Sequence, residues 1–151
     1  MRSRGFGTGC ALLLLGAVAL AEEGVQPYRV VGNAIPDSLT GRAGDPARGR
    51  KIAASRELGN CTLCHRLPLE GEAFFGDVGP DLSGVADRLT AGELRLRLVD
   101  PLRANPDTVM PAYYRIEGQQ RVAVPYRGKP VLTAEQVEDV VAYLAGLRAP
   151  R

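Results

Sequence analysis

Apolar residues recur at helical spacing most clearly near the end of the chain. There Val137, Val140, Val141, Leu144 and Leu147 follow an i, i+3, i+4, i+7 stripe with one further turn. Thr133-Ala134-Glu135-Gln136 stands just before the stripe and reads as a capping box, in which a hydroxyl and an amide side chain satisfy each other's free backbone N–H groups. Thr90-Ala91-Gly92-Glu93 is a second capping box. Its helix is expected to end at Val99, because Asp100 precedes Pro101 and a residue before proline avoids the α region. Asp45-Pro46 marks a third start, with aspartate as N-cap and proline in the first turn. This helix is predicted to pass Ile52 and Ala53, reach about Leu58 and be closed by Gly59. Residues 66–80 form a loop with Phe74 and Phe75 near its middle, and residues 101–132 form a long irregular segment. Residues 22–44 carry glycine, proline and short apolar runs such as Tyr28-Arg29-Val30-Val31, without a helical period. They read as an N-terminal extension, either loose or packed on a partner. Strand signals are short and scattered, so the pattern describes an all-α chain of three main helices and long loops, without internal repeats.

Residues 1–21 have the pattern of a cleavable signal peptide. Arg2 and Arg4 supply a positive start, Ala11 to Leu20 an apolar run, and Ala19-Leu20-Ala21 a small-residue cleavage site. The run is shorter than the ~20 apolar residues of a membrane span. Cys10 precedes it and departs with the leader. Residues 22–151 are then one domain's length with its extension. Without Arg2 and Arg4 the 19 basic side chains become 17, matching the 17 acidic ones. A near-neutral chain offers no basic field for nucleic acid or an anionic membrane.

The chemistry is concentrated in Cys61-Thr62-Leu63-Cys64-His65, the Cys-x-x-Cys-His attachment sequence of a c-type haem. The two thiols would add to the haem vinyl groups, and His65 would become the proximal iron ligand. A tetrahedral zinc site needs four ligands, whereas His65 is the only histidine and Cys61 and Cys64 are the only cysteines left without Cys10. A thioredoxin-like pair would want a βαβ context. A disulfide across two residues would be strained and close almost no loop. Export agrees with haem attachment, which takes place outside the cytoplasmic membrane of a Gram-negative cell, so the expected compartment is the periplasm. With no tryptophan and few aromatics, much of the core is expected to come from the haem itself.

One histidine rules out bis-histidine ligation. Met110, the only methionine besides Met1, lies in a loop and precedes Pro111, which biases it toward extended backbone. We read it as the second axial ligand, with packing as the alternative; Lys51 and Lys129 could replace it only at high pH. His65/Met110 ligation would raise the reduction potential and close the iron to small substrates, which suits outer-sphere electron transfer.

The haem motif, Gly79-Pro80-Asp81-Leu82-Ser83-Gly84-Val85, Met110-Pro111 and Val141-Ala142-Tyr143-Leu144 together resemble class I cytochromes c. The resemblance implies that the first and last helices cross with Gly49 against Tyr143. It also implies that the Pro80 carbonyl accepts a hydrogen bond from the proximal imidazole, which fixes its tautomer. An ordinary turn is the alternative for Gly79-Pro80. More specifically, Gly59-Asn60-Cys61, the run from Arg95 to Pro101, the run from Asn105 to Arg115, Gly128 to Thr133 and Glu138 to Leu144 resemble the SoxX family of monohaem cytochromes. That resemblance covers roughly residues 45–148 and leaves 22–44 unmatched. It implies a class I cytochrome c domain over 45–151 around one covalently bound haem, with Cys61, Cys64, His65, Met110 and Pro80 as its site. It further implies a larger SoxA-like cytochrome as partner in a heterodimer, a SoxYZ-like carrier whose cysteine is oxidatively coupled to thiosulfate, and a soluble cytochrome c as electron acceptor. The catalytic centre of such an L-cysteine S-thiosulfotransferase belongs to the SoxA-like subunit, so no catalytic residue is expected here.

Other residues have plainer readings. Arg95 and Arg97 are expected on a solvated helix face. Tyr113 and Tyr114 are expected to pack, and Phe74 and Phe75 to line the haem or a partner patch. The competing functions are a free-standing periplasmic electron carrier and a haem sensor with a labile Met110.

Overall fold

The computed structural model describes residues 24–120 and 122–149; the signal-peptide reading of residues 1–21 lies outside them. Helix α1 spans Pro46–Ala54, and the Asp45 carboxylate caps it by accepting from the N–H groups of Ala47 and Arg48. It ends at Ala54, before the predicted limit near Leu58, because Ser55 turns extended and the chain folds back. Leu58 and Asn60 both donate to the Ser55 carbonyl, while Gly59 N–H returns to Ile52 O at 3.1 Å. A Cβ on residue 59 would stand 2.7 Å from that Ile52 oxygen, so glycine is what allows the return. Helix α2 spans Ala91–Val99 and α4 spans Ala134–Ala145, each opened by the capping box expected of it. The stretch 101–132 is less irregular than its sequence suggests. It begins with a single-turn helix, α3 (Pro101–Ala104), and later forms a 3₁₀ turn at Val124–Tyr126. Among the described residues the only β pairing is an isolated bridge between Val31 and Ala34.

The core forms where α1 and α2 meet α4. α1 contributes Ile52 and Ala53, α2 contributes Leu94, Leu96, Leu98 and Val99, and α4 contributes Val137, Val140, Val141 and Leu144 of its predicted stripe; Leu147, the stripe's last member, lies beyond the helix end and is half-buried. α1 and α4 approach until a Cβ on Gly49 would overlap the Asp139 carbonyl and stand 2.9 Å from Tyr143 Cβ. The small residue of one helix therefore meets the aromatic residue of the other. Polar groups lock the crossing. Asp139 accepts from Arg48 Nε at 2.7 Å and Nη2 at 2.9 Å, and from the Asp45 N–H at 2.6 Å.

Residues 24–44 are not loose: they pack on the protein's own helices. Ile35 is 1% exposed and donates its N–H to Gly92 O at 3.0 Å. Leu39 N–H reaches Glu138 Oε1 at 2.9 Å, and Gln26 N–H reaches the buried Tyr114 hydroxyl at 2.6 Å. This burial corrects the reading of Arg95. Its side chain is 7% exposed, faces Glu138 at 4%, and donates from Nε and Nη2 to the two carboxylate oxygens at 2.7 and 2.8 Å. Nη1 donates to Ile35 O at 2.7 Å, so one guanidinium joins α2, α4 and the extension. The extension and α4 together cover the face of α2 on which Arg95 lies. Arg97 is half-buried and donates to the Glu93 carbonyl one turn earlier.

A buried pair is costly to break from one side, because the remaining charge stays desolvated. Arg95→Leu should lower unfolding free energy by about 3–5 kcal/mol, and Arg95→Leu with Glu138→Leu should recover most of it. Denaturant titration of the holoprotein, with Glu138→Leu alone as the third variant, measures both; a double variant that loses the sum of the two single losses would show that the two side chains are not coupled. Gly49→Ala should cost about 1–3 kcal/mol or more in the same titration, because the helices must separate to admit a methyl group.

Candidate functional site

The turn carrying the two cysteines is built by backbone geometry. Asn60 takes the left-handed conformation (φ 46°), which asparagine tolerates better than most residues, and turns the chain from Gly59 into a 3₁₀ turn at Cys61–Leu63. Cys64 N–H and His65 N–H both donate to Cys61 O, at 3.2 and 2.9 Å. The two cysteines are thus held one turn apart, with His65 leaving the turn. Burial pushes the Cys61 thiol up to about 11. A redox pair of the thioredoxin kind needs a depressed thiol, so the local environment disfavours that alternative.

The following loop is clipped along this turn. Gly76 N–H donates to Thr62 O at 2.9 Å, Gly79 N–H to Cys64 O at 2.8 Å, and Leu82 N–H to Arg66 O at 3.0 Å. Neither Gly76 nor Gly79 has room for a side chain. A Cβ on the first would strike the Leu63 carbonyl, and one on the second would overlap the His65 ring. The loop can therefore bring the Pro80 carbonyl to 2.8 Å from His65 Nδ1. A carbonyl only accepts, so Nδ1 carries the proton, and the lone pair of the neutral ring is left on Nε2.

Met110 sits on a separate segment. Thr108 Oγ1 accepts its backbone N–H at 3.1 Å, and its half-buried side chain packs against the core. Beyond Pro111 the chain is fastened to α2: Tyr113 N–H donates to Leu98 O at 2.9 Å and Arg115 N–H to Val99 O at 3.2 Å. The Tyr113 hydroxyl then donates to Gly59 O at 2.6 Å, two residues before Cys61. Burial first, and then the nearby Cys61 and Cys64, push the Tyr113 phenol well above its ordinary range. Cys61, Cys64, His65 and Pro80 are thus assembled by direct backbone contact, and Tyr113 links the Met110 segment to them.

These residues fit a c-type haem. Two thiols stand one turn apart, a histidine presents an oriented Nε2 lone pair, and a thioether lies on a tethered loop. Leu63, Phe74 and Val78, on the turn and on the loop clipped to it, are largely exposed, Phe74 at 81%. Exposed apolar side chains on this turn and loop suit a large apolar group or a partner surface. Phe75 is half-buried, with the Arg66 guanidinium 5.7 Å from its ring centroid. Among the described residues no three His, Cys, Asp or Glu side chains converge on a metal position, and no helix is long and apolar enough to cross a membrane. Sequence reasoning did not reach Gly76, Thr108 or the Tyr113 hydroxyl. Gly79 was visible as part of Gly79-Pro80, but its contact with the imidazole was not.

Gly79→Ala should displace the His65 ring and break its bond to Pro80. In the haem-loaded protein the slowly exchanging imidazole Nδ1–H proton should disappear from the NMR spectrum; its persistence would mean that the loop yields instead of the ring.

A family model described as cytochrome c matches residues 46–148. A chain in the crystal structure of SoxXA from P. pantotrophus is 35% identical and superposes with a TM-score of 0.77, over 85% of this chain and 100% of that one. No curated protein matches the sequence.

Proposed function

From the premise that this chain belongs to the cytochrome c family, as a SoxX-like member carrying covalent haem c, we propose that it is the monohaem, electron-accepting subunit of a SoxAX-type complex. The observation that carries this reading is similarity over the whole of a SoxXA chain, not over the haem motif alone. Cys61 and Cys64 would hold the haem by thioethers, and His65 and Met110 are the side chains that would bind its iron. The bound haem supplies a one-electron redox centre. Pro80 holds the His65 tautomer that leaves Nε2 free for the metal, and Gly79 keeps the ring in place. With both thiols consumed, residues 22–151 contain no cysteine able to act as a nucleophile. The bond-forming chemistry therefore falls to the larger SoxA-like partner. There the carrier cysteine of a SoxYZ-like protein gives up its thiol proton to solvent and joins the outer sulfur of thiosulfate in a new S–S bond, and two electrons leave. This subunit accepts them singly and passes them to a soluble cytochrome c. Residues 1–21 direct the chain to the periplasm and are removed.

Protein tagged after the leader and purified from its native periplasm should retain a stoichiometric larger c-type cytochrome through a salt wash. Its haem should be reduced when thiosulfate and the carrier are added. A clean monomer without a thiosulfate response would instead make it a free-standing electron carrier. Met110→Ala should lower the reduction potential and let the ferrous protein bind carbon monoxide; an unchanged spectrum and potential would remove Met110 from the ligand role.

A further inference from the structure

The Met110 segment has few fastenings of its own. Asp107 N–H is held by Asn105 Oδ1 at 3.1 Å, Thr108 N–H by Asn105 O at 3.2 Å, and Met110 N–H by Thr108 Oγ1 at 3.1 Å, all within a few residues. These contacts shape the loop but do not place it. Placement begins at Tyr113, which touches three other parts of the fold. Its backbone pairs with α2 through Leu98 O and with Leu132 N–H, which donates to Tyr113 O at 2.9 Å. Its hydroxyl spans 54 positions of sequence to Gly59. Gly59 is itself anchored: its N–H returns to α1, and it is packed so closely that a Cβ there would stand 3.3 Å from Cys61 Sγ.

We propose that Tyr113 is a positioning residue, whose hydrogen bond to the Gly59 carbonyl tethers the Met110 loop to the cysteine turn and keeps the thioether on the iron. The inference rests on the reading of Met110 as the axial ligand. A link from the loop to the haem-bearing turn holds both ends of the axial assembly in one frame, so fluctuations of the loop do not carry the thioether away. The weak iron–thioether contact is then maintained by a bond that touches neither the iron nor the sulfur. Tyr114 supplies the contrast. It is more deeply buried and its hydroxyl also makes a 2.6 Å bond, but that bond goes to Gln26 of the extension. A structural role alone would make the two tyrosines equivalent.

Tyr113→Phe removes the oxygen and keeps the ring. It should raise the carbon monoxide association rate of the ferrous holoprotein about five- to tenfold, the change in open-form population that one lost hydrogen bond produces. It should also weaken the ferric sulfur-to-iron charge-transfer band and lower the reduction potential. Tyr114→Phe should lose comparable or greater stability in denaturant and leave the band, the potential and carbon monoxide binding as in the wild type. Wild-type behaviour of Tyr113→Phe, with Met110→Ala opening the iron, would overturn the tether and leave the ligand assignment standing. Equal opening by Tyr114→Phe would overturn it too, by showing that general loosening releases the thioether. Wild-type behaviour of Met110→Ala would overturn the ligand assignment, and the tether with it.

Discussion

The close crossing of α1 and α4 is the constraint on which the rest of the structure depends. Where Gly49 meets Asp139 and Tyr143 there is no space for a side chain on the first helix. A second close approach precedes it, where a Cβ on Gly44 would overlap the Glu138 carbonyl. Backbone contact at two points leaves little freedom in the crossing angle. The adjacent carboxylates of α4 then reach different partners: Asp139 takes Arg48 and the Asp45 N–H at the start of α1, and Glu138 takes Arg95 of α2. Two neighbouring charges thus orient two helices against a third. Such pairs add little stability over apolar substitutes, but they penalise other arrangements, which would leave a charge buried alone.

From the crossing the chain is led to the cysteine turn with few loose residues. α1 ends early so that the return through Gly59 can bring Cys61 back against the core. Because the return is short and hydrogen bonded, the position of α1 sets the position of the thiols. The loop over 76–82 adds the next layer by running along the turn through backbone bonds, and the absence of side chains at Gly76 and Gly79 makes that approach possible. In this way the Pro80 carbonyl reaches the imidazole, and a backbone dipole decides which nitrogen carries the proton. Tyr113 adds the last connection, from the far side of the loop sequence to the carbonyl of Gly59.

Much of this was legible residue by residue. The helix starts at Asp45, Thr90 and Thr133 each depend on groups within a few positions of one another, and all three form. The stripe on α4 is buried as its period requires from Val137 to Leu144, whereas Leu147, expected to continue it, lies past the helix end and is half-buried. The crossing of Gly49 with Tyr143 was available from family resemblance, since no local pattern pairs them. The misreadings share a cause. Arg95 was placed on a solvated face because its neighbours on α2 give no sign of a second covering layer. That layer comes from Ile35 and Glu138, which stand 60 and 43 positions away. Residues 22–44 have no helical period and so read as loose or packed on a partner, yet irregular chain can bury single residues such as Ile35 without any period. The end of α1 was set too late because a fold-back through Gly59 and a helix closed by Gly59 contain the same residues.

By itself, then, the sequence determined the covalent and local properties of this protein: the Cys-x-x-Cys-His donor set, the scarcity of other ligands, the caps and the apolar stripe of the last helix. These are carried by bonds or by hydrogen bonds spanning one turn, and such interactions form wherever the residues occur in order. Only the tertiary structure decided which distant groups meet: Arg95 with Glu138, Gly79 with the His65 ring, and Tyr113 with Gly59. Those meetings depend on where packed helices place segments far apart in the chain, and a hydrogen bond that fails beyond a few tenths of an ångström cannot be read from spacing.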